Sequence, residues 1–207
     1  MLIALSASYG AGGSVVGPRV AERLGVPFVD RAIPTAVAGK LDVPLSQALE
    51  HDENVGSTLD RLLKHFAPLS ATYASGPASE ALMGGDPYHA ATERVIAEHA
   101  DSGRGVILGR ACAVVLRERP EVVRVRLDGP AERRIRQAMR IQGVDEATAR
   151  ERMSQTDRAR EAYMRHFYAA DPHDCELFDL VIDSTALPLD TCVELIVVAA
   201  GSRVSAG

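Results

Sequence analysis

The stretch "SASYGAGGSVVG", residues 6 to 17, follows the apolar run "LIAL" and precedes a segment with helical spacing. Gly10, Gly12 and Gly13 leave the main chain bare enough for an anion to approach closely. The N–H groups of such a loop converge on that anion, and the following helix adds the positive end of its dipole. The chemistry on offer is phosphate binding by Tyr9, Gly10, Ala11, Gly12, Gly13 and Ser14. In the phosphate-loop pattern G-x-x-x-x-G-K-[ST], Gly12 takes the second glycine, Ala7 the first, Gly13 the lysine and Ser14 the Mg²⁺-ligating hydroxyl. Two of the four diagnostic positions therefore differ. The dinucleotide pattern on Gly10 and Gly12 fails as well, because Val15 stands where its third glycine belongs. The loop is either a cradle without its lysine or a structural turn. If Gly13 holds the lysine position, a lysine placed there should leave nucleotide binding at least as strong.

Positive charge must then come from elsewhere. Lys40 and Lys64 are the only lysines, so a catalytic lysine is nearly excluded and guanidinium groups remain. From Arg126 to Arg165 ten arginines face seven acids, a surplus of three positive charges in a chain of net charge −5. That local excess points to an anionic ligand. Arg133, Arg136 and Arg140 have the spacing of a solvated helix face. Arg158 and Arg160, just after Asp157, serve either phosphate contact or surface ion pairing. Arg110 directly follows the strand-like "VILG" and Asp30 ends "PFVD", so both are expected at the carboxyl end of a strand, where ligands bind. Arg110 is read as a phosphate contact or a structural partner, and Asp30 as a ligand contact or a cap for a helix opening at Arg31. Asp128, ahead of Gly129 and Pro130, is read as a helix cap. The six histidines show no metal-ligand spacing.

Behind these residues lies an α/β pattern. "LIALS", "PFVD", "GVILG", "VVRVRLD" and "FDLVIDS" read as strands, separated by segments whose apolar residues recur every three or four. Val16, Val20 and Leu24 share one helical face, as do Ile135, Ala138, Met139 and Gln142. "LPLDTCVELIVVAA" reads as a closing helix. Strands alternating with helices predict a five-stranded, mostly parallel sheet covered on both faces. Two inserts interrupt it: residues 31 to 86, ending where Asp86 and Pro87 predict a helix start, and residues 143 to 173. Pro18 predicts a helix start that is distorted or delayed by a residue.

The remaining bounds are broad. A chain of 207 residues is read as one domain, 1–207. Net negative charge, 4% aromatics and no Trp argue against nucleic acid, and no apolar run is long enough for a membrane span. A chain opening on "MLIALS", without a basic leader, is expected to be cytoplasmic. Cys112, Cys175 and Cys192 are widely spaced and are expected to be buried thiols. Oligomeric state leaves no mark.

With "YGAGGSVVGPRVAERLGVPFVDR", "GRGVILGRACAVVLRERPEVVRVRLDGPAERRIRQAM", "RERMSQTDRAREAYMRHFY" and "FDLVIDSTAL" in view, the sequence resembles the cytidylate kinase-like family. These are P-loop relatives of the nucleoside monophosphate kinases. The resemblance runs from residue 1 to about 198 and is weakest across 40 to 85. It implies a P-loop NTPase-type parallel sheet, with 31–86 as the nucleoside monophosphate-binding insert and 143–173 as a LID. A lysine-free Y-G-x-G-G loop is itself typical of the family. The implied reaction moves the γ-phosphoryl of ATP, with Mg²⁺ at Ser14, to CMP or dCMP. Arg110 and Asp30 would meet the acceptor, Arg134 would lie near ATP, and Arg158 and Arg160 would close over the transfer. The rival readings are a nucleotide-binding sensor module without efficient catalysis and a small-molecule kinase with another acceptor.

Overall fold

Leu2, Ile3, Ala4 and Leu5 are consecutive and all buried. A strand hidden on both faces belongs at the centre of a parallel sheet. The computed structural model describes residues 1–30 and 87–204, and there the strand Leu2–Ala7 (β1) is central. Helix α1 (Gly13–Leu24) leads to β2 (Phe28–Asp30). Past the insert at 31–86, whose readings lie outside the described residues, come α2 (Pro87–Asp101) and β3 (Gly105–Leu108). α2 is described from Pro87 onward, and the Asp86 cap expected ahead of it lies outside the described residues. Then follow α3 (Arg110–Val115), β4 (Val122–Asp128), α4 (Ala131–Gln142) and α5 (Glu146–Tyr168). A 3₁₀ turn, Cys175–Leu177, precedes β5 (Leu180–Asp183) and α6 (Leu189–Val204).

The five strands lie in the order β2-β3-β1-β4-β5, every pair parallel. One face packs Ile3, Leu5, Val123 and Val125 against Val16 and Val20 of α1 and Val193 and Ile196 of α6. The other packs Leu2, Ala4, Ile107 and Val122 against Ile96 of α2, Cys112 of α3 and Tyr163 of α5. Alternation along β1 divides its side chains between two cores, so each helix layer is anchored to the strand that carries the glycine loop. A third cluster joins α4 to α5 through Ile135, Ala138 and Ala149, and Tyr9 of the loop belongs to it. No helix among the described residues is long and apolar enough to cross a membrane.

Two expectations need correction. α1 starts at Gly13, without delay, and runs through Pro18. Proline removes one intrahelical hydrogen bond, but Val16, Gly17, Val20 and Ala21 on the same helix are buried, and that packing holds the turn together. Cys175 is exposed, unlike Cys112 and Cys192, because the 3₁₀ turn that carries it crosses the surface between α5 and β5.

Candidate functional site

The glycine loop leaves β1 at its carboxyl end. Gly10 (φ 74°) and Gly12 (φ 79°) are left-handed, a conformation that other residues adopt only with strain. Space excludes side chains as well: a Cβ on Gly10 would come 2.3 Å from the Arg134 carbonyl oxygen. The turn closes with Ala11 N–H donating to the Ser8 carbonyl at 3.0 Å. Gly12 caps α1 without a side-chain acceptor, and no acid lies in the first turn of that helix. Among the described residues, the N–H groups of Gly10, Gly12, Gly13 and Ser14 have no hydrogen-bond acceptor. Four donors without an acceptor, at the positive end of a helix, are a site for an anion.

Gly13 is not a vacant lysine position. A Cβ there would come 2.6 Å from the Ala7 Cβ, with Leu108 Cδ1 at 3.2 Å. The methyl of Ala7, standing where the phosphate-loop pattern has its first glycine, fills the space a side chain at 13 would need. The two departures from the pattern are therefore one steric arrangement, and a lysine added at 13 alone collides.

Arg134 and Asp157 hold the loop from outside. Arg134 Nη1 donates to the Tyr9 carbonyl at 2.9 Å and to Asp157 Oδ2 at 2.7 Å, while its Nε donates to the Gly129 carbonyl at 2.9 Å. The Tyr9 N–H donates to Asp157 Oδ1 at 3.1 Å. One loop amide is thus occupied by a carboxylate of the protein itself. The Tyr9 hydroxyl donates to Gln142 Oε1 at 2.6 Å, and its ring is buried.

A second brace comes from β4 and β5. Ser184, fully buried, donates through Oγ to the Ala11 carbonyl at 2.7 Å. Arg126, 5% exposed, donates to Asp128 Oδ2 through Nη2 at 2.6 Å and to the Pro172 carbonyl. Its Nη2 also lies 3.0 Å from His173 Nδ1. Burial alone would raise the Asp128 carboxyl, but Arg126, the Gly129 N–H and Ser8 together hold it below the usual carboxylate range. Asp128 does not cap α4: the cap position is Pro130, with no side-chain hydrogen bond. Arg126 turns that carboxylate back over its own strand instead.

The expected arginines divide. On α5, Asp157 and Arg160 are three residues apart and share a face. Arg160 Nη1 donates to the Ala7 carbonyl at 3.0 Å, at the foot of the loop. Arg158 is exposed. The backbone of Arg110 opens α3 behind Gly109, whose N–H donates to the Leu5 carbonyl, so it stands beside the loop at the carboxyl edge of the sheet; nothing of its side chain lies within the described residues. Asp30 ends β2 on that same edge, in register with Leu108. Arg133, Arg136 and Arg140 are exposed, as their spacing predicts. With Met139, Val144 and Thr185 they line an open cleft of about 510 Å³.

Asp157, Ser184 and Arg126 carry no direct signal of the site in the sequence. A buried serine or arginine at a strand end carries no motif, and by sequence Asp157 is only the neighbour of Arg158 and Arg160. The charged strand end "VRVRLD" was the one available signal for Arg126, since an inward-facing arginine needs an acid. Among the described residues, no three or more His, Cys, Asp or Glu side chains gather to hold a metal ion. A divalent ion at the Ser14 hydroxyl would take its other ligands from phosphate and water, a donor set that suits Mg²⁺.

The model of the cytidylate kinase-like family matches residues 2–186. A solved structure of an uncharacterized protein from Eubacterium ventriosum is 20% identical, covers 98% of this chain and 99% of that one, and superposes with a TM-score of 0.65. A shikimate kinase from Bacteroides thetaiotaomicron is 14% identical over 95% of each chain, with a TM-score of 0.47. A uronate isomerase from Corynebacterium glutamicum is 33% identical over 98 residues, 47% of this chain and 19% of that protein. The chain thus spans about a fifth of that curated relative. The structural likeness is one of fold.

Proposed function

This chain belongs to the cytidylate kinase-like family, and from that premise we propose that it is a nucleoside monophosphate kinase acting on CMP or dCMP. The observation that carries the reading is the set of loop N–H donors, Gly10, Gly12, Gly13 and Ser14, gathered without an acceptor at the head of α1. ATP with Mg²⁺ supplies the transferable phosphoryl group when bound. The chain's part is to position it and to neutralise charge spread over several oxygens. The loop amides hold the phosphates, and the Ser14 hydroxyl is the metal ligand. The cleft of Arg133, Met139, Arg140 and Thr185 takes the remainder of the donor nucleotide, its apolar Met139 suiting a ring face and its guanidinium groups an anion. Arg110 and Asp30, at the carboxyl edge of β3 and β2, seat the acceptor phosphate and sugar. Arg160 at the foot of the loop, joined by Arg158 from the exposed side of the same helix, supplies the positive charge that lysine gives other phosphate loops. No general base is assigned, because an acceptor phosphate is already a nucleophile near neutral pH. ADP formation from ATP, measured against a panel of nucleoside monophosphates, tests the reading: CMP or dCMP should be turned over fastest, and no turnover with any acceptor refutes it.

One observation favours a second reading, a nucleotide-binding module without efficient catalysis. Asp157 already occupies the Tyr9 amide and Arg134. Tight nucleotide binding that does not depend on Mg²⁺, with no turnover, would select it.

A further inference from the structure

Gln137 of α4 is 5% exposed, yet its Nε2 is buried without a hydrogen-bond partner. Leaving a buried donor unmade costs free energy that an apolar side chain of the same size would not. The amide is aimed at the glycine loop: a Cβ built on Gly12 would lie 3.3 Å from Nε2, with the Leu189 methyls at 2.9 and 3.3 Å. Leu189 offers no acceptor, and Gly12 is the cap of α1, whose first amides are also without one. Beside the four loop amides, Gln137 Nε2 therefore adds a fifth donor without an acceptor, this one from a side chain. Such a set is matched by a ligand rich in oxygen acceptors and by no group of the described residues.

We propose that Gln137 is a ligand-binding residue whose Nε2 donates to a phosphate oxygen of the polyphosphate held by the glycine loop. The inference rests on the loop being that polyphosphate site, and adds to it a contact from α4 that no motif marks. Gln137 adds a side-chain contact to those of the loop amides, so it acts on binding and leaves the chemical step alone.

Calorimetric titration of the full chain with ATP and, separately, with inorganic tripolyphosphate tests this, alongside thermal melts of the free protein. Gln137→Met, which keeps the volume, should raise the melting temperature of the free protein while weakening both ligands at least tenfold, about 1.4 kcal/mol. Gln137→Glu, isosteric and negative, should weaken both further. Unchanged affinity in both variants overturns the contact, and so does a loss seen with ATP but absent with tripolyphosphate. Should the unsubstituted chain bind neither ligand, the loop is no polyphosphate site and both readings fall. The parent thus reports on the loop and the variants on Gln137.

Discussion

The Tyr9 backbone N–H donates to the Asp157 carboxylate at 3.1 Å, so the glycine loop and α5 share one hydrogen bond across 148 residues of chain. The same carboxylate is paired with Arg134, which in turn holds the Tyr9 carbonyl. An acid therefore stands beside the donors that would receive a phosphate, and it belongs to the helix that also brings Arg160 to Ala7.

Asp157→Asn removes that negative charge while keeping the side chain's shape. ATP affinity should rise about fivefold, the scale of a ~1 kcal/mol repulsion between unit charges near water. Stability of the free protein should fall by about 1–3 kcal/mol, because Arg134 loses its charged partner. Calorimetry and urea denaturation read the two effects, and a drop in ATP affinity would show that the carboxylate helps the ligand.

Ala7 and Gly13 should behave as a coupled pair. Gly13→Lys alone should destabilise by about 1–3 kcal/mol through overpacking against the Ala7 methyl. Adding Ala7→Gly should recover part of that loss, although glycine in a strand carries a cost of its own. A double-mutant cycle measures the coupling, and strictly additive effects would mean that the two sites do not compete for one space.

Ser184→Ala deletes the hydroxyl that meets the Ala11 carbonyl and leaves that carbonyl buried without its donor. A loss of about 1–3 kcal/mol is expected in chemical denaturation. Proton exchange at the bonded amides of Tyr9 and Ala11 should quicken more than at amides within the sheet.

Acid should weaken the Arg126–Asp128 brace. The folded Asp128 carboxyl titrates below its unfolded value of about 4, so its stabilisation is complete above that value and disappears as pH falls through the folded one. Urea unfolding between neutral pH and pH 3 should show a steeper decline for the unsubstituted chain than for Asp128→Asn. Equal slopes would remove Asp128 from the acid-sensitive set.

The three thiols should react unequally. Cys175 is exposed, whereas Cys112 is fully buried and burial pushes its thiol up to about 12. Burial likewise raises Cys192. A colorimetric thiol reagent should label Cys175 at once in the native protein and reach the other two only after denaturation; fast labelling at Cys112 would mean that α3 opens.

How much of this was readable beforehand differs by element. The five strands were legible because an apolar run such as "LIAL" and an alternating one such as "VVRVRLD" are short, β-branched-rich or apolar, and bounded by turn residues. The loop was legible because glycine at 10 and 12 meets a local backbone demand that needs no partner. The roles of Ala7 and Gly13 were not, since two mismatches to a pattern look like losses until their atoms are seen to occupy one space. Asp128 was misread for a related reason. A carboxylate just ahead of a helix reads as a cap by local rules, but Asp128 stands two residues before the cap position, Pro130, and the buried Arg126 beside it redirects the side chain.

Local order, in short-range periodicity, turn residues and charge spacing, was written in the chain itself and pointed to a parallel sheet with a phosphate-type loop. Strand order, the split of the arginines into Arg160 inward and Arg158 outward, and the meeting of Tyr9 with Asp157 were decided by packing. Those outcomes depend on which faces of α4 and α5 are buried together, and burial is a property of contacts between distant segments that no window of sequence contains.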